Sequence, residues 1–284
     1  MMGTLLALVS ASSYGLSDFV GGVASRRVGF VRVALLGQLG GLAVTILAGL
    51  LARRLVPHPA DLGWGALSGV GTGIAMTFLF RGISRGAMSV VVPVSAVGGV
   101  ALPVLVGTAV LGEHPAPSAW AGIAVAVPAL WLVADGTTGT AANARAAIGD
   151  GLIAGAGIGV QYLALAQATP VSGIWPVTAG RAAAVVLVAL SAWKIASGAG
   201  DAATARPHRA DFAAVCSGVL AAAALVSYLF ATRTEYLAVA VVLSSLYPIV
   251  PVVLGVSALK ERLRRSQFIG LAAALVASTV IATS

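Results

Sequence analysis

Charge is scarce in this sequence. Of 284 residues only 9% are charged, against 59% hydrophobic, where a soluble domain carries about 25% charged residues. A soluble chain of this length could not cover its surface with so few charges. The solvent is therefore lipid, which pairs no backbone group, so long apolar runs must close their hydrogen bonds as helices. Strands of a membrane barrel would alternate apolar and polar residues, and these runs do not.

Other shortages exclude chemistry. Cys216 is the one cysteine, so no intramolecular disulfide and no thiolate metal site can form. The three histidines, His58, His114 and His208, all fall between apolar runs. That leaves an intramembrane lipid-modifying enzyme without a histidine cluster at membrane depth. Gly69-Val70-Gly71-Thr72-Gly73 lacks the strand and spacing of a nucleotide loop, so no ATP-hydrolysing motif is present. The net charge is +8, yet no basic, aromatic-interleaved soluble face exists to bind nucleic acid. The first run has no basic segment before it and continues to full spanning width, so no cleavable signal is expected. No cofactor and no metal are expected.

What is present is a succession of apolar segments. A spanning helix needs roughly 17–25 residues. Ten segments qualify, at 1–24, 28–52, 62–80, 86–112, 116–134, 147–169, 174–193, 210–232, 236–259 and 266–282. Arg26-Arg27, Arg53-Arg54, Glu113 to Pro117 and Lys260-Glu261-Arg262 punctuate them. The polar stretch 136–146 reads as a linker between a first unit, 1–135, and a second, 147–284.

The two units resemble each other. At an offset of 148, Gly3 falls on Gly151, Tyr14 on Tyr162, Arg85 on Arg233, Pro103 on Pro251, Gly107 on Gly255, Glu113 on Glu261, Trp120 on Phe268 and Gly122 on Gly270. Tyr, Arg, Glu and Pro are scarce enough here for such matches to count. Five spans per unit is an odd number, so the second copy enters the membrane inverted. The expected fold is an all-α integral membrane protein, ten transmembrane helices in two inverted five-helix repeats, an architecture of many secondary transporters.

The stretch Leu243 to Leu263, LSSLYPIVPVVLGVSALKERL, followed by Gln267-Phe268-Ile269-Gly270, resembles the last two helices of the EamA-type drug/metabolite transporter superfamily. Its counterpart runs from Pro93 to His114 and on to Trp120-Ala121-Gly122. The resemblance implies a ten-helix fold, a central cavity lined by the first four helices of each half, and transport of a small metabolite, amino acid or drug. It treats Glu113 and Glu261 as structural.

Polar groups inside apolar helices point to the bundle interior. Asp18 is an acid well inside an apolar run; it reads as a proton or cation site, or more plainly as an interfacial residue bonded to the nearby loop. Arg181 lies two turns into the seventh segment, amid alanine and valine. It reads as the binder of a substrate anion, as a counter-ion to Asp18, or as a helix-pairing residue. At an offset of 143 its position falls on Gln38; the resemblance implies arginine in both halves, so one cationic pole makes a dianionic substrate less fitting. Tyr14, Gln161, Tyr162 and Ser245 complete the expected substrate-binding set. Trp175 reads as an interface anchor. Pro93, Pro103, Pro248 and Pro251 lie inside the fourth and ninth segments and are expected as hinges or fixed kinks.

The expected function is a secondary transporter or facilitator working by alternating access in the cell (inner) membrane, a monomer or homodimer, with proton coupling through Asp18. The other readings are a non-transporting membrane scaffold or sensor and the lipid-modifying enzyme. Orientation is contested. The odd loops hold 13 of the 17 Lys/Arg, which puts them in the cytoplasm and the termini outside, whereas the resemblance implies termini inside. A reporter fused at Ser284 and accessible from outside would contradict the resemblance on this point.

Overall fold

A computed structural model describes residues 2–51, 57–86, 88–110, 117–134, 141–198, 209–234, 244, 246–261 and 264–282. Among them lie ten α-helices: α1 (Met2–Ser25), α2 (Phe30–Leu51), α3 (Pro59–Arg85), α4 (Met88–Val110), α5 (Pro117–Ala134), α6 (Ala141–Ala166), α7 (Trp175–Gly198), α8 (Arg209–Thr234), α9 (Ile249–Ser257) and α10 (Arg265–Ala282). The chain is all-α. Among the described residues, five stretches are long and apolar enough to cross a membrane: Phe30–Leu51, Pro59–Arg85, Arg145–Leu165, Trp175–Trp193 and Arg209–Ala231. The inner face of α1 carries Ser10, Ser17 and Asp18, all buried.

Local chemistry sets the ends. Pro59 opens α3, where its missing N–H is not needed, and holds His58 extended at ψ 133. A short 3-10 turn, Pro170–Ser172, starts the same way after Thr169 and ends at Gly173, whose φ of 57 favours glycine. Helix α3 runs past the expected limit of residue 80 and takes in Arg81 and Arg85.

The ninth segment also differs from expectation. Residues 235–243 lie outside the described set, and a turn over Leu246–Pro248 precedes α9. Pro248 occupies the N-cap position and Pro251 sits in the first turn, where a proline removes no intrahelical bond. Ser244, before the turn, is helical too, so both prolines stand at a turn between helical residues. Pro93 and Pro103 lie inside continuous α4; Pro93 is fully buried. Pro128, inside α5, is a further interior proline.

Packing runs small-to-small. Helix α1 packs on α8, α3 on α6 and α7, α4 on α6, α2 on α7 and α8, and α5 on α10. A Cβ on Gly218 of α8 would collide with the carbonyl of Gly37 on α2, and one on Gly69 of α3 with the carbonyl of Gly180 on α7. Backbones this close exploit dispersion where lipid offers no hydrophobic drive. Ser17 and Ser217 clasp α1 to α8 reciprocally, each hydroxyl donating to the other's carbonyl at 2.7 and 2.9 Å. The large apolar side chains Leu5, Leu47, Leu51, Trp193 and Phe268 point outward, which suits a lipid-facing surface.

Candidate functional site

One face of α1 carries Tyr14 and, one turn on, Asp18. Both are buried, Asp18 at 2% exposure. Three more tyrosines, Tyr162, Tyr228 and Tyr247, gather around them. The Tyr14 and Tyr247 rings lie 6.0 Å apart and the Tyr162 and Tyr228 rings 5.7 Å apart, both tilted. Tyr162 is within electrostatic reach of Tyr14, Tyr228, Tyr247 and Asp18.

Two hydrogen-bonded groups close this centre. In the first, Gln161 of α6 donates from Nε2 to the Tyr14 hydroxyl at 3.2 Å and accepts at Oε1 from Thr72 of α3 at 2.8 Å. In the second, Arg181 of α7 donates from a terminal nitrogen to Gln38 Oε1 of α2 at 2.9 Å. Arg181 and Gln38 are each 2% exposed. Arg181 Nε is buried without a hydrogen-bond partner, and the Tyr247 hydroxyl faces Ser95. Tyr14 lies within reach of both Arg181 and Asp18, but those two charges form no ion pair with each other. The counter-ion reading of Arg181 is thus a correction: its partner is the neutral amide at its own repeat-related position.

Of the expected residues, the structure brings together Tyr14, Asp18, Gln38, Gln161, Tyr162 and Arg181. Ser245 lies outside the described residues. Trp175 opens α7 with its ring against Gly49. Sequence reasoning missed Thr72, which sits in the glycine run dismissed as a nucleotide loop. Its signal is spacing: the glycines beside it bring α3 against α6, and the threonine is the polar group left at that contact. Gln161→Leu keeps volume but strips both hydrogen bonds, leaving the Thr72 hydroxyl to its other acceptor, the Ser68 carbonyl. We expect a fall of several degrees in the melting temperature in detergent, since one or two neutral hydrogen bonds contribute about 1 kcal/mol each; an unchanged melt would mean that these bonds do not hold α6 to α1 and α3.

The ion pairs lie elsewhere, at the end where α1, α3 and α9 finish. Asp150 of α6, 3% exposed, accepts from Arg81 at 2.6 Å and Arg85 at 3.1 Å. Arg32 pairs with Asp211 at 2.6 Å. Glu261 caps the start of α4, accepting from the N–H groups of Met88 and Ser89 at 3.1 Å each and from Arg26 at 2.9 Å. Arg26 also donates to the carbonyls of Ile83 and Gly86. A carboxylate at a helix start offsets the macrodipole. At the opposite end Asp61, in the first turn of α3, accepts from the N–H and hydroxyl of Thr169 and from the Ser172 hydroxyl.

Burial works to raise the Glu261 carboxyl, but the bonds from Arg26, Ser89 and Met88 outweigh it and hold it below its ordinary 4.5. A lowered folded value means stability that is full above pH 4.5 and is lost as pH falls through that lowered value. Thermal melts in detergent should show wild type losing Tm below pH 4.5. Glu261→Gln should start lower at pH 7 and lose less on acidification; parallel pH curves for the two proteins would contradict the cap.

Fold and site together define an all-α membrane protein with a buried polar centre. Residues 1–134, just under half of the chain, are similar to an EamA-like transporter family domain. Such a domain implies membrane transport of small solutes, and the family's members are typically not enzymes. No curated protein matches the sequence. Among 17 matching chains of solved structures, one crystal structure aligns with a TM-score of 0.63 at 20% identity, over 98% of this chain and 98% of that one. At that identity the likeness shows the fold.

Proposed function

We propose that the chain is a secondary transporter or facilitator, ten membrane helices in two inverted five-helix repeats, moving a small solute by alternating access at the Tyr14–Gln161–Arg181 centre. The observation that carries this reading is the meeting of Arg181 with Gln38, 143 residues earlier. Two repeat-related positions can touch only beside the pseudo-two-fold axis. The glycine crossings support the same axis. Gly69 against Gly180 and Gly37 against Gly218 exchange with each other when 37 maps to 180 and 69 to 218. Helix pairs exchange likewise, α3 on α6 for α8 on α1, and α3 on α7 for α8 on α2. A polar centre on such an axis is where inverted-repeat transporters bind their cargo.

Asp18 is the proposed proton carrier. It is buried and faces Tyr14, Tyr162 and Tyr247, and among the described residues no cation pairs with it. Uptake of a metabolite panel into proteoliposomes tests the reading. Uptake of at least one solute above protein-free vesicles supports it; none across a broad panel would leave the scaffold reading in its place.

A further inference from the structure

We infer that the solute carries a single anionic group on a flat, largely apolar body, and that Arg181 binds the anion while the tyrosines hold the body. This rests on the transport reading above and names its substrate class.

The argument begins with what Arg181 lacks. A guanidinium carries five N–H donors in a rigid fork that matches a carboxylate. Among the described residues the four ion pairs use Arg26, Arg32, Arg81 and Arg85, and Arg181 has no acidic partner. Its one hydrogen bond goes to the Gln38 amide oxygen, which brings no charge, and its Nε is sealed from solvent with no acceptor. A buried charge left this way is costly unless something completes it. Gly41 lets α2 lie close beside the guanidinium: a Cβ there would stand 3.2 Å from Nε. Gln38 fixes one terminal nitrogen and so orients the fork, a positioning role.

The charge count is one. A second arginine at the repeat-related position would suit a dianion; glutamine there does not. A zwitterion with adjacent ammonium and carboxylate also fits poorly. Asp18 would have to meet the ammonium beside the carboxylate, yet Asp18 and Arg181 do not stand close enough to form an ion pair with each other. The tyrosines supply faces for a flat ring and hydroxyls for its edge.

The test is ligand-induced stabilisation of the purified full chain in detergent. The probes are 4-hydroxybenzoate, its uncharged amide 4-hydroxybenzamide, the amine tyramine and zwitterionic tyrosine. The proteins are wild type, Arg181→Gln and Arg181→Lys. Wild type should bind the carboxylate about tenfold or more tightly than any other probe, the margin of a charge-assisted fork over a neutral contact. Arg181→Gln should lose that preference, and Arg181→Lys should keep it in weakened form. Without ligand, Arg181→Gln should melt no lower than wild type, because an uncompensated buried charge has gone. The inference falls if the amide, amine or zwitterion binds as well as the carboxylate, if no probe binds, or if Arg181→Gln binds it unchanged. It also falls if Arg181→Gln melts lower or fails to fold, since Arg181 is then structural. Uptake by proteoliposomes of neutral or cationic solutes alone would overturn this inference and leave the transport reading standing.

Discussion

Proteoliposomes carrying Asp18→Asn should equilibrate the solute but fail to concentrate it when a pH gradient is imposed. A gradient of one pH unit is worth about 1.4 kcal/mol per proton, or roughly tenfold accumulation at one proton per solute. Wild type should approach that ratio and Asp18→Asn should stop near one. The reason is local. Asp18 is 2% exposed at the heart of the bundle, one turn from Tyr14, and a carboxyl there can carry charge only while the site is open to water. Asparagine keeps the shape and cannot exchange the proton. Facilitated exchange should persist, because the groups expected to hold the solute are untouched. If Asp18→Asn still concentrates the solute with unchanged pH dependence, the coupling group lies elsewhere and Asp18 is a structural acid.

Gly218→Ala should be among the most damaging single-methyl changes in the protein, while Gly37→Ala, at the same helix crossing, should be nearly silent. The added Cβ at Gly218 would collide with the Gly37 carbonyl, whereas one at Gly37 meets the Ala214 carbonyl at 3.4 Å, an ordinary contact. The atoms struck by Gly218 are backbone on a neighbouring helix, so α2 and α8 must separate as bodies. Overpacking of a tight core costs about 1–3 kcal/mol, and the shift would also pull Gln38 from Arg181. Gly37→Ala keeps the crossing and gains about 1 kcal/mol in helix propensity. Melting in detergent reads both: we expect a fall of several degrees for Gly218→Ala and no fall for Gly37→Ala. Equal losses would mean that α2 and α8 do not cross at this pair.

The fold class was legible because lipid leaves few options. Scarcity of charge forces helices, and the breaks between runs carry prolines and arginines that mark their ends. Helix limits were less legible. Arg81 and Arg85 look like loop residues until Asp150 is seen across the α3–α6 contact, and a tertiary ion pair has no local signature. The same holds for Asp61 and Asp211, which sit in matching first turns of α3 and α8 and bind the α6–α7 connection and the start of α2. Periodicity cannot reveal such partners. The prolines sit where a sequence pattern alone could not place them: Pro93 and Pro103 lie within α4, while Pro248 and Pro251 lie at the turn and first residues of α9.

The candidate centre was legible to the extent that its residues were rare. Tyr14, Asp18, Gln38, Gln161 and Arg181 stand out against alanine, valine and leucine, and the repeat offset already aligned Gln38 with Arg181. What the offset could not say is that the two touch. Thr72 escaped because threonine is common in membrane helices and usually bonds its own backbone, as it also does here toward Ser68. Its second bond, to Gln161, depends on the glycine contact between α3 and α6.

Alternating access at one buried centre is the central claim, and the single native cysteine makes its test direct. With Cys216→Ser as background and Thr72→Cys at the centre, a membrane-impermeant thiol reagent is applied to proteoliposomes from outside and, separately, from the lumen. The account predicts labelling from either side, slowed by the transported solute in both cases. Labelling from one side only, at a rate the solute does not change, would contradict it.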